Sequence, residues 1–226
     1  GSNTAVGANA LAGFTTGQYN TTIGKDAGKA ITTANYNTFV GAWAGDAVTT
    51  GGYNTVLGFQ AFSDATSESS HTVAIGYQAG KAITSGDSNV LIGAGTGDAL
   101  TTGFKNVAIG PAALGSDDVG AGHIAIGGNA LVTQNFASEN NEFEANISIG
   151  NKSSHNNTTG NMNVVIGTAA KYTDDEGNQT TAIGHQAMYS QNMASSVTTA
   201  NVGVGHKVGY YNVTGTQNTW LGYQAG

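Results

Sequence analysis

The hydrophobic pattern of this chain has a long period and is set by glycine. An aliphatic residue followed by glycine occurs at Val6-Gly7, Ile23-Gly24, Val40-Gly41 and Leu57-Gly58, and recurs as far as Leu221-Gly222. The glycines of this series are Gly7, Gly24, Gly41, Gly58, Gly76, Gly93, Gly110, Gly127, Gly150, Gly167, Gly184, Gly205 and Gly222. Nine of the twelve gaps are 17 residues, and the others are 18, 23 and 21. A fixed period of this length marks a repeat architecture and governs every local reading.

With each glycine numbered zero, position −1 is aliphatic in all thirteen repeats, and position −3 is always Thr, Val or Ile. Residues two apart share a face only in a strand, and β-branched side chains suit that surface. Each repeat is therefore expected to open with a short strand whose inward face is −1 and −3. Position −2 would point outward. It reads Ala5, Thr22, Phe39, Val56, Ala74, Leu91, Ala108, Ala125, Ser148, Val165, Ala182, Gly203 and Trp220. That is too apolar for a solvated face, so a second copy of the chain is expected to cover it.

The polar positions repeat as well. Position −4 is Asn in ten repeats, which predicts a ladder of stacked amides about 4.8 Å apart. Position +3 is Ala in ten repeats, implying a narrow cross-section. A Thr-Thr-Gly signature, as at Thr15 to Gly17 and Thr101 to Gly103, marks a second corner. At +5, Lys29 precedes Asp46 by one repeat and Lys81 precedes Asp98, so both pairs are expected to meet on adjacent rungs. Together these features predict an all-β protein: a β-solenoid of about thirteen 17-residue coils with no helix, on the order of 60 Å long. Residues 3–226 form one domain. Gly1-Ser2 reads as the remnant of a cleaved tag, and the chain reads as a fragment of a longer protein.

Composition narrows the function classes. Charged residues make up 9% of the chain and the formal net charge is −7. All seven basic residues are Lys. A nucleic-acid or anionic-membrane face is therefore not expected. There is no cysteine, hence no disulfide and no thiolate metal site. No apolar run is long enough to span a membrane.

Segments such as Asn54 to Ala61 (NTVLGFQA), Thr72 to Gly80 (TVAIGYQAG) and Asn218 to Gly226 (NTWLGYQAG) resemble the head repeats of trimeric autotransporter adhesins. They are still more similar to the longer-period repeats of phage tail fibres and bacterial surface fibres. The resemblance covers nearly the whole chain after Ser2. It implies a left-handed parallel β-roll, a homotrimer, and an extracellular fibre on a cell surface or virion tail that binds a surface glycan or receptor. No cofactor is expected.

Departures from the period mark loops, and loops carry recognition. Insertions are expected at 133–145 and 189–199. Their candidate ligand-binding residues are Phe136, Asn140, Asn141, Glu142, Phe143, Tyr189, Gln191 and Asn192, a mixture of rings, amides and a carboxylate suited to sugar. His185 and His206 share position +1 in successive repeats, so they should stack; imidazoles so placed are either packing or a metal site. The run Asp174 to Asn178 has the oxygen-rich composition of a calcium loop but lacks its spaced ligands, so it reads as a solvated acidic turn, and Asp117-Asp118 reads likewise. No arrangement of catalytic residues stands out. Adhesion is thus the expected function, with a polysaccharide-degrading spike or an ice-binding solenoid as alternatives.

Overall fold

The computed structural model describes residues 2–64, 68–136, 145–193 and 197–226. It contains thirteen three-residue strands: β1 (Thr4–Val6), β2 (Thr21–Ile23), β3 (Thr38–Val40), β4 (Thr55–Leu57), β5 (Val73–Ile75), β6 (Val90–Ile92), β7 (Val107–Ile109), β8 (Ile124–Ile126), β9 (Ile147–Ile149), β10 (Val164–Ile166), β11 (Thr181–Ile183), β12 (Val202–Val204) and β13 (Thr219–Leu221). They form one parallel sheet in sequence order, β1 to β13. The register is that of the glycine count: Thr38 pairs with Thr55, Phe39 with Val56 and Val40 with Leu57. The longest gap does not disturb it, since Ile126 pairs with Ile149. The chain is a β-solenoid of about twelve turns, and the described residues include no helix.

The corner glycine follows each strand. All thirteen have φ between +120° and +147°, a region open to glycine but hardly to other residues. Each of the first twelve also lies so close to the next rung that a Cβ would collide with backbone there. The chain then leaves the sheet through overlapping turns: the Ala10 N–H donates to Gly7 O at 3.3 Å and the Ala12 N–H to Asn9 O at 3.3 Å. Such turns need positive φ at their third residue, which here means positions +2 and +4. Non-glycine residues fill many of these sites, as at Asn9 (57°) and Leu11 (56°). Each costs about 1–2 kcal/mol. Hydrogen bonds between rungs hold them there: Leu11 N–H to Ala27 O at 3.0 Å, and Asp26 N–H to Ala8 O at 2.8 Å.

The structure reverses the predicted faces of the strand. Position −2 is inside: Phe39, Val56, Ala74, Leu91, Ala108, Ala125, Val165 and Ala182 are fully buried. Positions −1 and −3 point outward, with Val6 57%, Leu57 46% and Leu221 79% exposed. Both faces are apolar, so periodicity alone could not orient them. The interior decides, because it takes side chains of matched size. Gly45 leaves room for Phe39, since a Cβ on Gly45 would stand 2.6 Å from the Phe39 ring. The +3 column is buried and small as expected, including Ala27, Ala44, Ala61, Ala79 and Ala113.

The apolar interior has two parts. One runs from Leu11 to Leu131 and the other from Val165 to Val208. Between them, the coil after β9 is polar inside, with Ser148 Oγ and Ser153 Oγ 2.7 Å apart.

Candidate functional site

Three surfaces and one interior column carry side chains with chemistry. The first surface is the outward face of the sheet. Each rung adds one −1 and one −3 side chain, so an unbroken strip of Val, Ile, Leu and Thr runs from β1 to β13. Thr4, Thr38 and Thr55 on it are exposed.

The second surface is the set of ring stacks that the period builds. At −5, Tyr19, Tyr36, Tyr53 and His71 stack with centroids 5.0, 4.9 and 5.0 Å apart. At +5, His155, Tyr172, Tyr189 and Tyr210 do the same at 4.9, 5.2 and 5.2 Å. His185 and His206 stack as expected, at 5.1 Å, with Tyr223 following at 5.2 Å. Among the described residues no group of three or more His, Asp or Glu converges in a way that would hold a metal ion. Corner aromatics pack together too: Phe59 lies 5.9 Å from Tyr77, and Trp43 meets Phe59 edge-on at 5.2 Å.

The third surface comprises the insertions. Of their candidate residues, Asn140, Asn141, Glu142 and Phe143 lie outside the described residues. Phe136 is partly buried and stacks on the buried His123 at 5.6 Å. Tyr189 belongs to the +5 stack. Gln191 is fully buried, and its amide donates to Asp174 Oδ2 at 2.7 Å, so it is not presented to a ligand. Asn192 is exposed, and its backbone N–H bonds to Val213 O at 2.9 Å. Among the described residues, Phe136, Tyr189, Gln191 and Asn192 do not form one site: Phe136 stacks on His123, Tyr189 joins the +5 stack and Gln191 is buried.

The charge pairs at +5 are in the expected register but do not close. Ala30 N–H donates to Asp46 O at 3.0 Å, yet Lys29 lies 3.9 Å from Asp26 of its own coil and Lys81 lies 3.6 Å from Asp64. Burial pushes the Asp46 and Asp98 carboxyls up, and the neighbouring lysines only partly oppose it.

The interior column was missed in sequence. Position +7 is apolar in early coils (Ile31, Val48, Ile83 and Leu100) and polar later (Asp117, Gln134, Asn157, Asp174 and Gln191), yet all of these are fully buried. Asp117 and Asp174 are thus core residues and not solvated turns. The column joins the −4 ladder. Asn146 Nδ2 donates to Gln134 Oε1 at 3.1 Å, and Asn201 Nδ2 donates to Gln191 Oε1 at 3.2 Å. Lys171, at +4, is also fully buried. Its Nζ lies 3.1 Å from Asp174 Oδ2 and donates to Asn157 Oδ1 at 3.1 Å. Burial holds the Lys171 ammonium well below the usual lysine range, while Asp174 partly restores it. Burial would raise Asp174, but Lys171, Gln191 and the Met193 N–H together hold it low. A count from the corner glycine would have placed Asp174 on the buried +7 column of Ile83 and Leu100, and Lys171 on the buried +4 column of Phe62 and Leu114.

Comparison with protein-family models finds no matching family, and no characterised protein or solved structure matches the chain at a significant level.

Proposed function

We propose that the chain is a rigid segment of a homotrimeric extracellular fibre that serves in attachment to a cell surface. The observation that carries this is the outward aliphatic strip of positions −1 and −3. An outward apolar face on a polar rod, exposed at Val6, Leu57 and Leu221 and half-buried from Val73 to Ile149, marks an assembly surface, and a strip repeated at every rung is complementary to another copy in the same register. The resemblance to fibre and adhesin repeats supplies the number of copies, the left-handed roll and the role in host recognition. A glycan or receptor would then be met by the insertions.

Light scattering on the whole chain tests the assembly. A mass of three chains is expected, and Ile109→Lys with Ile126→Lys should reduce it to one. A wild-type monomer would remove the role of the strip. Binding to a panel of surface glycans, lost on Phe136→Ala or Phe143→Ala, tests recognition. Binding unchanged by both substitutions would place recognition elsewhere on the fibre. Cleavage of capsule or lipopolysaccharide by the wild-type chain would favour a degradative spike instead.

One observation favours a second reading. Thr4, Thr38 and Thr55 stand on the exposed face beside Val6, Val40 and Leu57 at rung spacing, an arrangement that can order water as ice does. The rank passes into Val73, Val90, Val107, Ile124, Ile147 and Val164, so ice binding ranks second. Thermal hysteresis would bring it forward.

A further inference from the structure

The coils after β9 and β10 place a lysine, an asparagine and an aspartate in contact in the interior. Earlier coils show what the same positions hold when packing alone decides: Gly28 with Ile31, Gly80 with Ile83 and Gly97 with Leu100. A buried ion pair seldom stabilises more than apolar residues of equal volume. Lys171, Asn157 and Asp174 therefore call for another account, and their chemistry offers one.

We propose that Lys171 and Asn157 are a site of spontaneous amide cross-linking, in which Nζ of Lys171 bonds to Cγ of Asn157 and Asp174 carries the proton. The geometry supports each role. Lys171 Nζ sits 3.1 Å from Asn157 Oδ1, beside the carbon it would attack. The carboxamide is held in place, with Nδ2 donating to Gly160 O at 2.8 Å and to Gln134 Oε1. Asp174 Oδ2 is 3.1 Å from the same Nζ. Its other oxygen accepts from the Gly177 N–H at 3.1 Å and the Met193 N–H at 3.2 Å, which fixes the carboxylate. Lys171 and Asp174 have no exposed side-chain surface, and Val165, Ala170, Ala187 and Met188 form the adjoining apolar cluster. Exclusion of water favours the neutral amine, the nucleophilic form. Fixed contact replaces a bimolecular encounter.

The step balances without an added reagent. The Lys171 ammonium gives one proton to the Asp174 carboxylate. The free amine attacks Asn157 Cγ, forming the N–C bond. A proton from the attacking nitrogen passes to Nδ2, by way of Asp174, and the C–Nδ2 bond breaks. One ammonia leaves, and Asp174 remains protonated until ammonia or solvent takes that proton. The product ties the rung of β9 to the rung of β10, where the apolar interior is interrupted by the Ser148–Ser153 layer. The inference does not depend on how many chains assemble.

Intact-mass spectrometry of the whole chain tests it. The expected mass is lower than that of the sequence by one ammonia. Trypsin should leave a peptide from Ser153 to Lys207, uncut at Lys171 and lighter by ammonia. The variants Lys171→Met and Asp174→Asn should both show the unreduced mass. A wild-type chain of full sequence mass, cleavage at Lys171, or an ammonia loss that persists in Lys171→Met would each overturn the proposal.

Discussion

A Cβ on Gly41 would lie 2.4 Å from the carbonyl oxygen of Gly58 on the next rung. The glycine column is therefore a steric necessity as well as a conformational one, since φ at Gly41 is +133°. Gly41→Ala should destabilise by about 3 kcal/mol or more, through backbone strain plus displaced rungs. In a stacked array the damage should spread to neighbouring coils. Denaturant unfolding of Gly41→Ala checks this, against an Ala substitution at exposed Thr16 as the control. Equal midpoints would mean that the column is not tightly packed.

The asparagine ladder should matter nearly as much. The Asn37 amide donates to Gly51 O at 2.9 Å, and its Oδ1 accepts the Asn54 N–H at 2.9 Å. Both contacts are buried, so Asn37→Ala leaves a backbone N–H and a carbonyl without these partners. We expect a loss of about 2–4 kcal/mol. Asn37→Asp should be little better, because it restores the acceptor but places a carboxylate against Gly51 O. Thermal melts of the two variants measure this. At two of the three interruptions the replacement still accepts from the next rung: Thr72 Oγ1 takes the Asn89 N–H at 3.4 Å, and His123 Nδ1 takes the Asn146 N–H at 3.0 Å.

The extent to which this fold was legible follows from the same residues. Gly41 and Asn37 recur because stacking constrains their backbone and amide, so counting finds them. The orientation of Phe39 was not legible, because Thr38 and Val40 on its other side are β-branched and just as strand-like. The clue lay in size: Phe39 has Gly45 opposite it, whereas Ala108 has Leu114. Asp117 and Asp174 were misread because Asp117-Asp118 and Asp174 to Glu176 look like solvated acidic runs locally. Their distance from the corner glycine puts them on the column of Ile83 and Leu100. The candidate site was least legible, since an insertion has no repeat to calibrate it, and Gln191 obeys the rung pattern instead.

The Asp117 and His123 pair predicts an unusual pH response. Burial raises Asp117 from 3.8 to about 7 and lowers His123 from 6.5 to about 4. The two side chains face each other at 3.5 Å with no exposed surface. Between pH 4 and 6.5 the folded pair holds one proton, on Asp117. The unfolded pair also holds one, on His123. Their contributions therefore cancel, and the pair should leave stability almost flat in that window. Substitution separates them. In His123→Asn, only the raised carboxyl remains. Its contribution is fully present below pH 3.8 and declines as pH rises towards 7, by about 4 kcal/mol. In Asp117→Asn, only the lowered imidazole remains, and stability should decline as pH falls from 6.5 towards 4, by about 3 kcal/mol. Denaturant midpoints across pH 4 to 7 for the three chains give opposite slopes if the assignment is right. Parallel curves would refute it.

The interior accommodates unequal side chains by pairing large with small across the coil. In the coil after β6, Leu91 and Leu100 fill the interior over Gly97, where a Cβ would meet Leu91 Cδ2 and Leu100 Cδ1, each at 2.9 Å. In the next coil Ala108 leaves room for Leu114, which adopts the same left-handed backbone at φ +53°. Leu91→Ala alone should open a cavity and cost about 3 kcal/mol. Gly97→Leu alone should overpack the interior and strain the turn, at a cost of about 2–3 kcal/mol. Combined, they pair a small −2 residue with Leu at +4 as Ala108 and Leu114 do, with Leu100 in place of Asp117 at +7, so each removes part of the other's penalty. A double-mutant cycle should give a favourable coupling of about 1–2 kcal/mol. Simple additivity would mean that the interior relaxes around each change on its own, and that matched size is not what turns position −2 inward.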